Sequence, residues 1–495
     1  MNKIIMTVFI PSVSAIAILA SPAATVAAAE TSSSVTLRVC SWEEYIDTGD
    51  WSEEDTISLE SGDITSDESM VDAFEDWYYE TYGIRVNVEY STFGTNEDLY
   101  NRLMLGDTYD LVCPSEYLIM KLMSQNALVP LSDSFFDKSI DENYYIKGVS
   151  PYIDSVFSSN EINNEAWSKY MAGYMWGITG IVYNPEYISK EEASTWTILN
   201  NPEYKRSVTI KDNVRDSYFA AVGAIKHDLL TSDGFISSPD YKQRLVDEMN
   251  DVSDATIADV QDYLQSVKNN AYSFETDSGK SDMITGKVLA NYQWSGDAVY
   301  TMDQADEDDF TLNFTVPNES SNIYFDGWVM LKKGIGTDTA KQHAAEAFIN
   351  FLSRPDNAIR NMSYIGYTSA ISGGDDKRIF EYADYCYGAD EDDEDTTEYS
   401  ISYFFSEDPS SDEYTLTVNK EALDRQLAAQ YPSMETLERT CVMLNFDNEC
   451  SSKINQMWIN VRCFNINTIP IAVRVIICLG IAAFIGFLIK NKIKH

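Results

Sequence analysis

The chain has 495 residues with 44% apolar content, enough for two or three packed domains and too apolar for a disordered chain. Its 79 acidic residues against 35 basic ones give a formal net charge of −44, which argues against a nucleic-acid partner because little here could neutralise phosphates. Cationic ligands are compatible with that charge, although most of the acids read as a solvated, self-repelling surface.

Residues 1–29 combine Lys3, an apolar stretch from Ile4 to about Ala20 and a small-residue end at Val26 to Ala29. This is the pattern of a secretory signal peptide, cleaved near Ala29. No cysteine precedes Cys40, so no lipoprotein-type acylation site accompanies it. Val35 to Cys40 alternates as a strand and runs into Trp42, Glu43, Glu44 and Tyr45. Asp47 to Glu68 is acidic, has neither helical nor strand period over most of its length, and is expected as a surface insertion. Met70, Phe74, Trp77 and Tyr78 then share one helical face, with Ser66, Asp67 and Ser69 as candidate caps and Gly83 as the stop. Ile84 to Tyr90 reads as a strand, Leu99 and Leu103 as a helix between Thr95 and Gly106, and Tyr109 to Ser115 as a further strand. Strand and helix alternate, which predicts an α/β fold with a parallel sheet.

The alternation resumes after Met175, and Ala340 to Leu352 is an amphipathic helix ended before Pro355, so a second α/β lobe is expected. A second acidic stretch, Ala389 to Glu413, contains EDDEDTTE but lacks the turn glycine and ligand spacing of a calcium-binding loop. Ile469 to Ile489 is apolar except for Arg474 and is followed by Lys490, Lys492 and Lys494. It predicts a membrane-spanning helix with residues 490–495 as a cytoplasmic tail.

Catalysis has little to work with. The three histidines, His227, His343 and His495, form no HExxH pair, there is no GxSxG elbow, and Gly286-Lys287 lacks the rest of a phosphate loop. Seven cysteines include no CxxC pair, so metal-site spacing is absent. The chain is therefore expected to be no enzyme and to carry no cofactor and no metal. What stands out is aromatic and acidic: Trp42 to Tyr45, Trp294-Ser-Gly-Asp297 and Tyr324-Phe-Asp326. Aromatic faces and carboxylates delivered from strand ends suit a small, elongated organic cation.

These segments, in order, resemble the bacterial spermidine/putrescine-binding proteins, the extracytoplasmic receptors of polyamine ABC importers. That family's opening strand ends in Trp-x-(Glu or Asp)-Tyr, matched by Trp42, Glu44 and Tyr45. Its Asp-Leu-Val-x-Pro-Ser-x-Tyr segment is matched from Asp110 to Tyr117, which brings Ser115 and Tyr117. Tyr174-Met-Trp176-Gly177, Trp196 with Pro202 to Lys205, Trp294 to Asp297, Tyr324 to Asp326 and Arg354-Pro355-Asp356 follow in the family's order.

The resemblance implies a two-lobed type II periplasmic-binding-protein fold. Lobe 1 would take residues 34–175 and 326–370, and lobe 2 residues 176–325 and 371–464. It implies walls from Trp42, Tyr45, Tyr117, Trp294 and Tyr324, carboxylate anchors from Asp326, Asp297, Asp216 and Glu44, and polar contacts from Ser115 and Asn213. Ser115 could equally cap a helix, and Trp176, Trp196 and Tyr204 read as core or hinge packing. Two departures matter. Asn213 replaces one of two acids that spermidine-type members carry three residues apart, while Asp297 is the acid typical of putrescine-preferring ones. A glutamine of the family falls near Met443. The expected partners are a polyamine and the permease subunits of an ABC importer. The protein is expected as a monomer, fixed to the membrane by its C-terminal helix with the lobes outside. The rival readings are a same-fold receptor for ferric iron and a calcium-dependent surface adhesin.

Overall fold

A computed structural model describes residues 34–463 except Glu391. The expected signal peptide, the membrane helix Ile469–Ile489 and the tail 490–495 lie outside the described residues. Among the described residues no helix is long and apolar enough to cross a membrane.

Eight strands form the spine of one large sheet: β1 (Ser34–Trp42), β2 (Arg85–Phe93), β3 (Leu111–Val112), β4 (Met171–Tyr183), β5 (Val208–Lys211), β6 (Ser273–Glu275), β7 (Ala290–Trp294) and β8 (Ser321–Leu331). Their order is β6-β5-β7-β4-β8-β3-β1-β2. β1 runs parallel to β2 and β3, and β5 runs parallel to β6 and β7. The sheet as a whole is mixed rather than parallel. β4 pairs antiparallel with β7 and with β8, and β8 pairs antiparallel with β3. β4 and β8 are buried along their whole length, and so they read as near-continuous apolar runs instead of alternating ones. That uniformity hides their direction from pattern reading, because a strand covered on both faces has no period to betray its partner.

The helices that pack on this sheet are set by local chemistry. α1 (Met70–Tyr82) starts where Ser69 Oγ accepts from the amide of Asp72 and stops at Gly83, whose φ of 68° is left-handed. α2 (Asn96–Leu105) is capped by Thr95, whose hydroxyl accepts from the amide of Asp98. α3 (Glu116–Ser124) follows β3, α4 (Val214–Ile225) follows β5 and α5 (Ser295–Glu307) follows β7. α6 (Thr339–Leu352) is capped by Asp338, and α7 (Pro355–Ile365) begins on its proline.

Buried side chains gather into two hydrophobic clusters. The larger includes Leu37, Val39, Phe74, Trp328 and Phe348, with Phe74 and Trp328 each edge-on to Phe348 at 4.9 and 5.5 Å. The second holds Trp196, Val208, Leu264, Tyr292 and Ile454. Trp176 and Trp196 are both core residues.

The acidic stretches are more structured than their composition suggests. Asp47 to Glu68 contains a hairpin, Ile57–Leu59 against Gly62–Ile64, with Ile57 and Ile64 buried. Asp47 itself is buried and accepts from Arg360 Nε at 2.9 Å and Nη2 at 2.6 Å. The second stretch carries Thr396–Ser400, paired with Thr415–Asn419. Residues 371–437 pack into the larger hydrophobic cluster and reach several of its elements. Trp176 stacks on Phe404 at 5.7 Å and Ser150 Oγ donates to Phe404 O at 2.6 Å, while Arg425 and Gln426 pair with Asp306 on α5. A few apolar residues among many acids are enough to anchor these segments, and runs this short show no period.

The Asp47–Arg360 pair offers a test of this packing. Arg360→Met should destabilise the protein by about 3–5 kcal/mol, because it strands a buried carboxylate, and adding Asp47→Asn should recover part of the loss. Denaturant unfolding of the two variants measures this; equal stability of wild type and Arg360→Met would contradict it.

Candidate functional site

The C-terminal ends of the parallel strands converge on a cavity of about 700 Å³. Trp42 ends β1, Ser115 follows β3, Asn213 follows β5 and Trp294 ends β7, while β8 lays Tyr324 and Asp326 across the floor. After Trp42 the chain turns through Glu44, whose φ of 52° is left-handed, and returns Tyr45 to the wall. Trp42, Glu44, Tyr45, Ser115, Tyr117, Asn213, Asp216, Trp294, Asp297, Tyr324 and Asp326 all line this one cavity.

Asp326 sits at an irregularity in the sheet. It faces Met175 while Gly327 faces Gly173, so Tyr174 is an extra residue on β4. The carboxylate is 5% exposed. Tyr45 Oη donates to Oδ2 at 2.6 Å and Ser115 Oγ donates to Oδ1 at 2.7 Å. Those donors are held in turn: Asn96 Nδ2 donates to Ser115 Oγ at 3.1 Å, and Tyr174 Oη donates to the Tyr45 carbonyl at 2.7 Å. Ser115 stands at the N-cap position of α3, yet its hydroxyl makes no cap hydrogen bond and serves Asp326 instead. Burial pushes the Asp326 carboxyl up to about 6, and the Tyr45 and Ser115 hydrogen bonds oppose that rise only in part.

Two further acids are raised by burial. Glu116, in the first turn of α3, accepts from the Phe325 amide through Oε2 at 3.1 Å, while Oε1 has no protein partner. Burial takes it to about 8, so it is mainly protonated at neutral pH. Asp216, in the first turn of α4, is raised by burial to about 7, with the Lys211 charge pulling the other way.

The surroundings of Asp297, Trp294 and Tyr117 are built differently. Lys211 Nζ lies 3.5 Å from Asp297 Oδ2 and 4.1 Å from the centre of the Trp294 ring, and Lys280 Nζ lies 3.7 Å from Asp297 Oδ1. The Arg215 guanidinium stands 4.6 Å from the Tyr117 ring. Two of the expected aromatic walls, Trp294 and Tyr117, therefore already carry a cation of the protein. Asn213 is engaged as the cap of α4, its side-chain oxygen accepting from the amides of Arg215 and Asp216 at 2.8 and 3.3 Å.

Sequence reasoning missed Glu116, Lys280, Tyr300, Tyr364 and Tyr367, all of which line the cavity, as does Met443. Tyr367 is central: its ring meets Tyr45 edge-on at 5.4 Å and Tyr324 at 6.2 Å. It reaches this place because Gly296 has no side chain; a Cβ there would overlap the Tyr367 ring. The glycine of Trp-Ser-Gly-Asp was the one signal in the sequence for that close approach.

The arrangement can surround a slender ligand with rings and offer it carboxylates, and it assembles no nucleophile, base and orienting group in line. A family model described as bacterial extracellular solute-binding protein matches residues 69–380. The spermidine/putrescine-binding periplasmic protein of Salmonella typhimurium is 25% identical over 285 residues, covering 57% of this chain and 70% of that one. The putrescine-binding periplasmic protein PotF of Escherichia coli is 24% identical over 293 residues, covering 58% and 71%. Among solved structures, a putative spermidine/putrescine ABC transporter from Listeria monocytogenes aligns with a TM-score of 0.56 at 21% identity, covering 86% of this chain and 99% of that one. The spermidine/putrescine transporter substrate-binding protein of Streptococcus pneumoniae aligns with a TM-score of 0.54 at 23% identity, covering 86% and 98%. These two likenesses speak to the fold, an α/β fold of the periplasmic-binding-protein type. The chain belongs to the bacterial extracellular solute-binding proteins, a family of receptors and not of enzymes.

Proposed function

We propose that this protein is an extracytoplasmic receptor for polyamines such as putrescine and spermidine, and that it delivers its ligand to the permease of an ABC importer. The observation that carries the reading is Asp326. It is a buried carboxylate served by two hydroxyl donors and flanked by Tyr45 and Tyr324, and no basic group lowers its pKa. An ammonium is the partner that such a carboxylate lacks, and the rings can cover the methylenes that follow it. The names of the relatives support the same ligand class, and none of those named above supports the ferric-iron or adhesin readings.

In this proposal the ligand lies between two lobes that close by hinge bending, the first built on 34–175 and 326–370, the second on 176–325 with the end of the described chain. Residues 371–437 contact both ranges, Ser150 in the first and Asp306 in the second, and the larger hydrophobic cluster runs through both. The receptor acts as a monomer. Residues 1–29 direct export, and Ile469–Ile489 holds the protein at the membrane beside its permease.

Asp326→Asn should weaken putrescine and spermidine alike by about 2–5 kcal/mol, the usual effect of removing one partner of a buried charge pair. Titration calorimetry reads this directly, and unchanged affinity would mean that the ammonium lies elsewhere.

The binding should also depend on pH. The ligand needs Asp326 ionised, and in the free protein that group titrates near 6. Affinity is then at its plateau well above that value and falls as pH drops through it, by roughly tenfold at one unit below the pKa. Asp216, raised to about 7, should extend the fall toward neutrality. Affinity that stays flat from pH 8 to pH 5 would contradict the assignment, since it would describe a carboxylate of ordinary pKa.

A further inference from the structure

The segment that carries Ser115 is stitched along β8 on both sides of Asp326. The Gly327 amide donates to the Pro114 carbonyl at 3.1 Å, Ser115 bridges to Asp326, and the Phe325 amide donates to Glu116 Oε2 at 3.1 Å. Glu116 takes that amide on the edge of β8 left open between its pairing with Thr440–Cys441 at Ser321–Asn322 and its pairing with β3 at Val329–Met330. A second carboxyl is thereby fixed beside Asp326. Glu116 lines the cavity, is 1% exposed, and has no hydrogen-bond partner for Oε1 among the described residues. Burial raises its carboxyl to about 8, the Phe325 amide pulls the other way, the Asp326 charge adds to the rise, and Arg215 on α4 opposes it least. Arg215 is itself shared with Tyr117, Glu97 and Asp216. Because almost no surface of Glu116 is left to cover, a ligand changes its ionisation through charge and not through further desolvation. An ammonium at Asp326 cancels the like charge there and adds an attraction, and both effects favour the ionised form.

We propose that Glu116 is a further anchor for the ligand's charge, neutral in the empty receptor and ionised once an ammonium sits at Asp326, so that uptake of the cation releases a proton. The inference rests on the polyamine reading and deepens it: one ammonium is matched by two carboxylates, the second of which forms only when the ligand is present. The O–H bond of the Glu116 carboxyl breaks, its electron pair stays on the carboxylate, and the proton passes to solvent. Binding that releases a proton strengthens as pH rises, so affinity climbs as pH passes through the titration of Glu116 in the empty receptor and levels off above it.

The test is titration calorimetry with 1,4-diaminobutane, whose ammoniums stay charged at pH 8, in phosphate and in Tris at that pH. The two buffers differ widely in ionisation enthalpy, so the difference in heat counts the protons released per ligand bound. At pH 8 the empty receptor holds about half a proton on Glu116, about a tenth on Asp216 and about a hundredth on Asp326. The wild type should therefore release about 0.4 proton per ligand, and Glu116→Gln at most about 0.1. Glutamine has the shape of the protonated acid and keeps an oxygen for the Phe325 amide; the wild-type count stands as a test even without the variant. A wild type that binds the diamine but releases under about 0.2 proton, or a variant that keeps more than half of the wild-type release, overturns the role of Glu116 and leaves the polyamine reading intact. A wild type that does not bind the diamine overturns both.

Discussion

Asp326 is buried where the two longest strands of the sheet lose register, and the protein gives it hydroxyl donors but no cation. A carboxylate taken out of water in this way is penalised unless its charge is matched, and its pKa near 6 records that penalty. The rest of the site is arranged around this group. The extra residue at Tyr174 lets its hydroxyl hold the Tyr45 carbonyl, Tyr45 then aims its own hydroxyl at Asp326, and Asn96 fixes Ser115 from the other side. None of these contacts is local in sequence, so the turn after β1, the start of α3 and the middle of β8 all depend on one another. Because its carboxyl titrates above the ordinary value, the stability linked to protonated Asp326 is fully present below the ordinary carboxylate range and is lost as pH rises from there through about 6. A bound cation offsets that loss, which links occupancy of the cavity to stability of the surrounding structure.

The cavity is electrically uneven. On the Asp326 side, Glu116 is held mainly neutral at neutral pH by burial and lends the amide of Phe325 an acceptor. On the Asp297 side, lysines accompany the acids, and Tyr367 Oη donates to Asp297 Oδ1 at 3.4 Å. One end therefore has an unmet need for positive charge and the other has that need met by the chain itself. Such a gradient orients an elongated cation as well as holding it.

Much of this was legible in the sequence, for physical reasons that differ from residue to residue. Trp42, Trp294 and Asp326 lie in short motifs with an acid inside an aromatic run, and such an acid demands a partner wherever it is placed. The helices α1 and α2 announced themselves by caps and by apolar spacing, and α6 by its amphipathic pattern and its end before Pro355. Tyr367 did not, since it follows the left-handed Gly366 in a loop, and its place beside Tyr45 depends on contacts more than three hundred residues apart. Lys211 reads as the ordinary end of a strand; only the fold brings Asp297 and Trp294 to it. The mixed direction of the sheet was hidden because β4 and β8 are covered on both faces. The structure within the acidic stretches was hidden because a hairpin with three-residue strands has no measurable period.

The account holds that the cavity recognises charge carried on a slender aliphatic chain. The most direct measurement is calorimetric titration of the purified protein at neutral pH with 1,4-diaminobutane and, separately, with 1,4-butanediol, which has the same length and shape but no charge. The diamine should bind saturably with one molecule per chain, and the diol should give no saturable heat at the concentrations that saturate the diamine. Comparable binding of the two, or binding of neither, would contradict it.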